Sequence, residues 1–165
     1  MIGMTVAILC SYTRLRAVPV NYIALAVYTF FHAFVVAALL PQYSPTTVMG
    51  AAVSTLGMFV ALTAYACFTK TDITMKGGAL CTAGMMIFMF MIMNWIIRSA
   101  ILHTVIIIVV IVLMSMWVVY DTQLIIGGKK RYQLELDDYT IGALIIYSDV
   151  MTIFLYILEL FGGRS

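Results

Sequence analysis

A polytopic bundle of membrane-spanning α-helices is the fold class that this sequence predicts, and three observations predict it. Of 165 residues, 64% are hydrophobic and 10% carry charge, against about 45–50% and about 25% in soluble domains. The mean hydropathy is +1.10, and a water-soluble fold of this size could not cover so much apolar surface. The apolar residues also fall in long runs, most of them sufficient for the ~30 Å hydrocarbon core, separated by short polar turns. The expected architecture is all-α: five full transmembrane helices plus a short N-terminal half-helix, forming a single transmembrane domain over residues 1–165.

Residues 1–12 are apolar but reach only about 18 Å at ~1.5 Å per residue, a half-span. No basic region precedes them and no small-residue cleavage site follows, which argues against a cleaved secretory signal. A polar turn with Arg14, Arg16 and Pro19 leads into the first full span, residues 21–40, which carries His32 at mid-depth and stops at Pro41. Pro45 suits the start of the next span, residues 46–68. Along it Gly50, Ser54, Gly57 and Ala61 recur at three- or four-residue spacing, a face without bulk on which another helix can pack closely.

A charged turn, TKTDITMKGG, precedes the span at residues 79–97. Its methionines, Met85, Met86, Met89, Met91 and Met93, are read as adaptable packing, and Asn94 as an interhelical hydrogen-bonder. Residues 101–126 and 139–161 form the last two spans, joined by the longest polar connection, in which Asp137 and Asp138 suit the following helix N-terminus. Cys10, Cys67 and Cys81 lie in or beside apolar runs without metal-ligand spacing, and are read as small packing residues.

If the helices alternate, Arg14, Arg16, Lys70, Lys76, Lys129, Lys130 and Arg131 share one side, and Arg98 and Arg164 the other. The basic side should face the cytosol, or the matrix in a mitochondrial membrane, with anionic lipid as a further contact of Lys129–Arg131. A net charge of +2 gives no case for nucleic acid.

The acids inside the last two spans carry the most information. An aspartate at a helix centre costs roughly 2.5–3.5 kcal/mol on insertion scales, so Asp121 and Asp149 must be protonated, paired or facing a wet cavity. Asp149 lies about 15 Å from the start of its span and Asp121 about 8 Å below the same membrane face, on antiparallel neighbours. If they meet, two like charges at short range cannot both ionise cheaply, and the pair would share a proton and gate a polar path. Opened and ionised, the two would offer hard oxygen ligands to Ca²⁺. The alternative is that each acid separately bonds a backbone or hydroxyl group. Gln123, Thr152, Tyr156 and Glu159 extend this pair into a polar seam, although Glu159 also suits the headgroup region. His32 is read as a satisfied core histidine. HExxH, GxSxG and P-loop patterns are missing, so no enzyme and no cofactor are expected.

With these residues in place, VYDTQLIIGGKKRYQLELDDYTIGALIIYSDVMTIFLYILELFG resembles the C-terminal signature of the Bax inhibitor-1 superfamily, most closely its lifeguard (transmembrane Bax inhibitor motif) branch. FTKTDITMKGG resembles the turn between that family's fourth and fifth helices, and VNYIALAVYTFFHAFVVAALL its third helix. The resemblance implies a seven-helix fold with the last helix central, a pH-sensitive calcium leak with Asp121 and Asp149 as the family's paired aspartates, and a link to suppression of cell death. It also implies that the family's first helix is absent here and that only residues 1–12 represent the second. Neither Arg14 nor Arg16 is assigned as the basic residue that locks onto the aspartates in bacterial relatives. Two functions follow as expectations. The favoured one is an accessory subunit of a larger membrane assembly, such as a respiratory complex of the mitochondrial inner membrane, with other subunits covering residues 1–40. The alternative is a pH-sensitive Ca²⁺ leak channel with an anti-apoptotic role in the endoplasmic reticulum or Golgi.

Overall fold

The computed structural model describes residues 19–127 and 139–163. The half-helix at residues 1–12, Cys10, Arg14, Arg16, Lys129–Arg131, Asp137, Asp138 and Arg164 lie outside the described residues. Among the described residues, five helices are long and apolar enough to cross a membrane: α1 (Val20–Leu39), α2 (Pro45–Phe68), α3 (Gly77–Ile97), α4 (Ala100–Ile126) and α5 (Tyr139–Gly162). Their bounds fall within two residues of those expected from the apolar runs. At ~1.5 Å per residue, the 27 residues of α4 extend about 40 Å, more than the hydrocarbon core requires.

Local chemistry sets the ends. Pro41 sits in a 3₁₀ turn, Leu40–Gln42, that closes α1. Ser44 caps α2, its Oγ accepting the Thr47 N–H at 3.2 Å, with Pro45 in the first turn where its missing N–H is harmless. Ser99 caps α4 in the same way through the Leu102 N–H. Between α3 and α4, Arg98 takes a left-handed conformation, φ 55°, which reverses the chain in two residues.

Contacts fix the alternation of the helices. At one end the start of α1 meets the start of α5, where Asn21 Nδ2 donates to Thr140 Oγ1 at 3.3 Å. The α2–α3 loop joins the same end, because it bonds to Gln123 near the end of α4. At the other end the ring of Phe161 lies beside Gly50, and His103 meets Glu159. Lys70 and Lys76 therefore share the loop end and Arg98 occupies the opposite one.

Helix α5 is the central post. Half of its apolar window is buried, against 28% for α4, 17% for α2, 11% for α3 and none for α1. The core joins Ala51 of α2, Ile106, Val110, Met114 and Val118 of α4, and Ile153, Ile157 and Leu158 of α5. Ala51 and Val118 are fully buried, which brings the helices close. Gly142 of α5 lies against Ile125 of α4: a Cβ there would stand 3.5 Å from Ile125 Cγ1.

The outward surface is apolar, as lipid requires. Phe30, Phe31 and Phe34 on α1 and Met85, Met86, Met89 and Met93 on α3 are exposed; of the methionines in the α3 cluster, Met91 is the one packed against the core. Cys67 and Cys81 are free and exposed, a correction to their reading as packing residues. Two hydroxyls in the spans return to their own helix: Thr55 to the Ala51 carbonyl at 2.8 Å, and Ser115 to that of Ile111 at 2.8 Å.

Candidate functional site: a carboxyl pair between the two most buried helices

Asp121 lies on the last two turns of α4 and Asp149 at the middle of α5. They are 9% and 2% exposed, respectively. Their antiparallel packing brings the two side chains within hydrogen-bonding reach of each other. Ionised carboxylates only accept hydrogen bonds, so a bond between these two requires one proton held by the pair. Asp149 Oδ2 is buried and finds no donor, and Thr122 Oγ1 beside Asp121 is likewise buried without a partner. Among the described residues, the His103–Glu159 ion pair lies at the other end of the bundle.

The surrounding shell is built from α1 and α5. Tyr28 of α1 donates its hydroxyl to Ser148 Oγ at 3.1 Å, one residue from Asp149. The rings of Tyr28, His32 and Tyr147 meet edge to face, with centroids 5.1–5.9 Å apart. His32 is thus a half-buried aromatic contact rather than a member of the acid site.

The seam residues separate into three environments. Thr152 is buried on the face of α5 that carries Asp149, and Tyr156 is half-buried one turn further on. Gln123, expected beside them, turns instead toward the α2–α3 loop. Its Oε1 accepts the Ile73 N–H at 2.9 Å and its Nε2 donates to the Thr71 carbonyl at 3.0 Å. Only 1% exposed, it clamps the loop over the end of α4, two residues from Asp121. Glu159 leaves the acid pair altogether and bonds His103 on α4.

The small-residue face also divides. Gly50 contacts Phe161, whereas Ser54, Gly57 and Ala61 face outward, and a Cβ at Gly57 would meet nothing within 4 Å. Within the chain, α2 packs through Ala51, Thr55 and Ala66, a stripe rotated by one residue from that expected.

Sequence reasoning missed His103. A signal was available: it is an ionisable group inside an apolar run, which in a membrane helix is a functional candidate by default. It also missed Asn21 and Thr140, whose contact joins α1 to α5.

The fold and site define a polytopic helical membrane protein with an acid pair sealed between its innermost helices. The chain belongs to the Bax inhibitor family: the family model described as "Inhibitor of apoptosis-promoting Bax1" matches residues 1–165. It is 28% identical to protein lifeguard 3 of Homo sapiens over 158 residues, covering 91% of this chain and 49% of that protein. Protein lifeguard 3 of Mus musculus is 28% identical over 158 residues, with 91% and 50% covered. Protein lifeguard 4 of Mus musculus is 27% identical over 148 residues, with 86% and 57% covered. The chain spans about half the length of the curated relatives it matches.

Proposed function

We propose that this chain is a lifeguard-type cation leak in which Asp121 and Asp149 form a proton-controlled site for Ca²⁺. The observation that carries this reading is the meeting of two buried carboxyls on α4 and α5. With one proton held between them, the pair is a hydrogen-bonded seal. Without it, two adjacent negative charges repel and present hard oxygens to a divalent cation. Ca²⁺ takes roughly 6–8 oxygen ligands, so two carboxyls form a point of passage rather than a storage site. Reconstitution of the full chain into liposomes enclosing a Ca²⁺ indicator tests the reading. Asp149→Asn, which preserves shape but cannot ionise, should flatten the dependence of Ca²⁺ flux on pH. Unchanged flux across the pH series would refute it.

A second reading, an accessory subunit of a larger assembly in the mitochondrial inner membrane, is supported by α1 and α2. None of the α1 window is buried, and Ser54, Gly57 and Ala61 of α2 leave a close-packing face turned outward. A partner helix, rather than lipid, would occupy these surfaces. Extraction in mild detergent tests it: co-migration with other membrane subunits is expected, and a stable, isolated monomer would count decisively against it.

A further inference from the structure

At the end of the bundle away from the α2–α3 loop, three polar side chains from three helices converge: Asn94 of α3, His103 of α4 and Glu159 of α5. His103 Nε2 lies 2.9 Å from Glu159 Oε1, and Asn94 Nδ2 lies 3.3 Å from His103 Nδ1. His103 is the fourth residue of α4 and Glu159 the fourth from the end of α5, so both lie only about 5 Å inside their helix ends. Their side chains are 23% and 39% exposed, within reach of the aqueous face.

A helix-to-helix tie would need only the imidazole and the carboxylate. The additional feature is Asn94, 8% exposed, whose Oδ1 is buried and bonds nothing. As it stands, the amide donates to Nδ1, and the proton on Nε2 is given to Glu159. Turning the amide over brings Oδ1 to the position of Nδ2, where it accepts a proton carried on Nδ1. Because Oδ1 has no partner to lose, this turn breaks no other side-chain hydrogen bond. It leaves the Nε2 lone pair facing a carboxylate oxygen, two donors toward one cation. Metal-binding histidines are commonly held in this way, with the second ring nitrogen bonded to an outer oxygen.

We propose that His103 and Glu159 bind a divalent transition-metal ion of the Zn²⁺ class, with Asn94 as the positioning residue that selects the histidine tautomer. Imidazole nitrogen favours Zn²⁺ over Ca²⁺ or Mg²⁺. With metal–ligand bonds of about 2.0–2.1 Å, tetrahedral ligands stand about 3.3 Å apart, so the pair must open by only about 0.4 Å. Water completes the coordination, which makes the site open and its occupancy reversible. Binding would fasten α4 to α5 at the end opposite the α2–α3 loop. The assignment uses neither aspartate and stands apart from the leak reading.

The test uses the full chain in detergent, stripped of metal, with Cys10, Cys67 and Cys81 changed to serine so that thiols cannot compete. Zn²⁺ titrated against a chromophoric chelator should show one site per chain. His103→Gln and Glu159→Gln should each weaken it at least about tenfold, and Asn94→Leu about 10- to 100-fold, the usual range for loss of an outer hydrogen-bonding partner. His32→Gln should leave it unchanged. Co²⁺ added to the cysteine-free protein gives a second readout that needs no site variant: a visible d–d spectrum is expected and should be displaced by Zn²⁺. Absence of Zn²⁺ binding, binding that survives both His103→Gln and Glu159→Gln, or Co²⁺ without a bound spectrum would each overturn the assignment. The leak reading fails separately, through Asp149→Asn.

Discussion

Gln123→Leu should detach the α2–α3 loop from α4 without disturbing the helices. The side chain is 1% exposed and makes two hydrogen bonds to the loop backbone, at 2.9 and 3.0 Å. Leucine has nearly the same volume, so packing is retained and only the polar pairing is lost. The Ile73 N–H is half-buried; stranding such a donor costs about 1–3 kcal/mol. The Thr71 carbonyl belongs to an exposed residue and can turn to water, leaving only the net worth of its bond, about 0.5–1.5 kcal/mol. Local opening of the loop should therefore become easier by about 2–4 kcal/mol, roughly a 30- to 1000-fold change in its opening equilibrium. Amide hydrogen exchange in detergent reads this directly. The Ile73 amide should exchange faster by about that factor, while amides in the middle of α4 and α5 should keep their protection. If the Ile73 amide remained as protected as in the parent protein, the clamp would be irrelevant and the reasoning wrong.

Other expectations can be checked by thermal or denaturant unfolding. Asp149→Asn should stabilise the bundle at alkaline pH by about 1–3 kcal/mol, because an amide donates to Asp121 at any pH whereas a carboxyl must keep a proton to do so; a parallel shift at all pH values would contradict this. Ile153→Ala, at a core position 1% exposed, should cost about 2–5 kcal/mol. Ala51→Leu should cost at least about 1–3 kcal/mol by forcing α2 away from α4 and α5. Gly57→Leu faces outward and should leave the midpoint of isolated protein nearly unchanged, while lowering recovery of a complex if a partner helix packs there.

Much of this molecule was legible because the bilayer is an unforgiving solvent. Helix ends could be read from Pro45 and Pro41 and from the polar turns, since backbone groups in lipid have no partners outside their own helix. The two acids were legible for the same reason: Asp121 and Asp149 stand out against an apolar background. Legibility ended where rotation of a helix about its axis decides the outcome. Spacing placed Gly50, Ser54, Gly57 and Ala61 on one face but did not indicate the face turned inward, and packing chose Ala51 and Thr55 instead. Gln123 was misplaced because its partners, Thr71 and Ile73, are about fifty residues earlier in the chain. His103 passed unnoticed because Glu159, the group that gives it meaning, lies 56 residues away.

Gly142 has no functional group, yet it lets α5 lie close against α4 on the face that carries Asp149. It precedes Asp149 by two helical turns on the same face, and its neighbour Ile125 follows Asp121 by one. Alanine would just fit there, in ordinary contact with Ile125. Any larger side chain would act as a wedge directly beneath the acids and prise them apart. The approach of α5 to α4 beside the acid pair is thus set by empty space, at a residue that contributes only its lack of bulk.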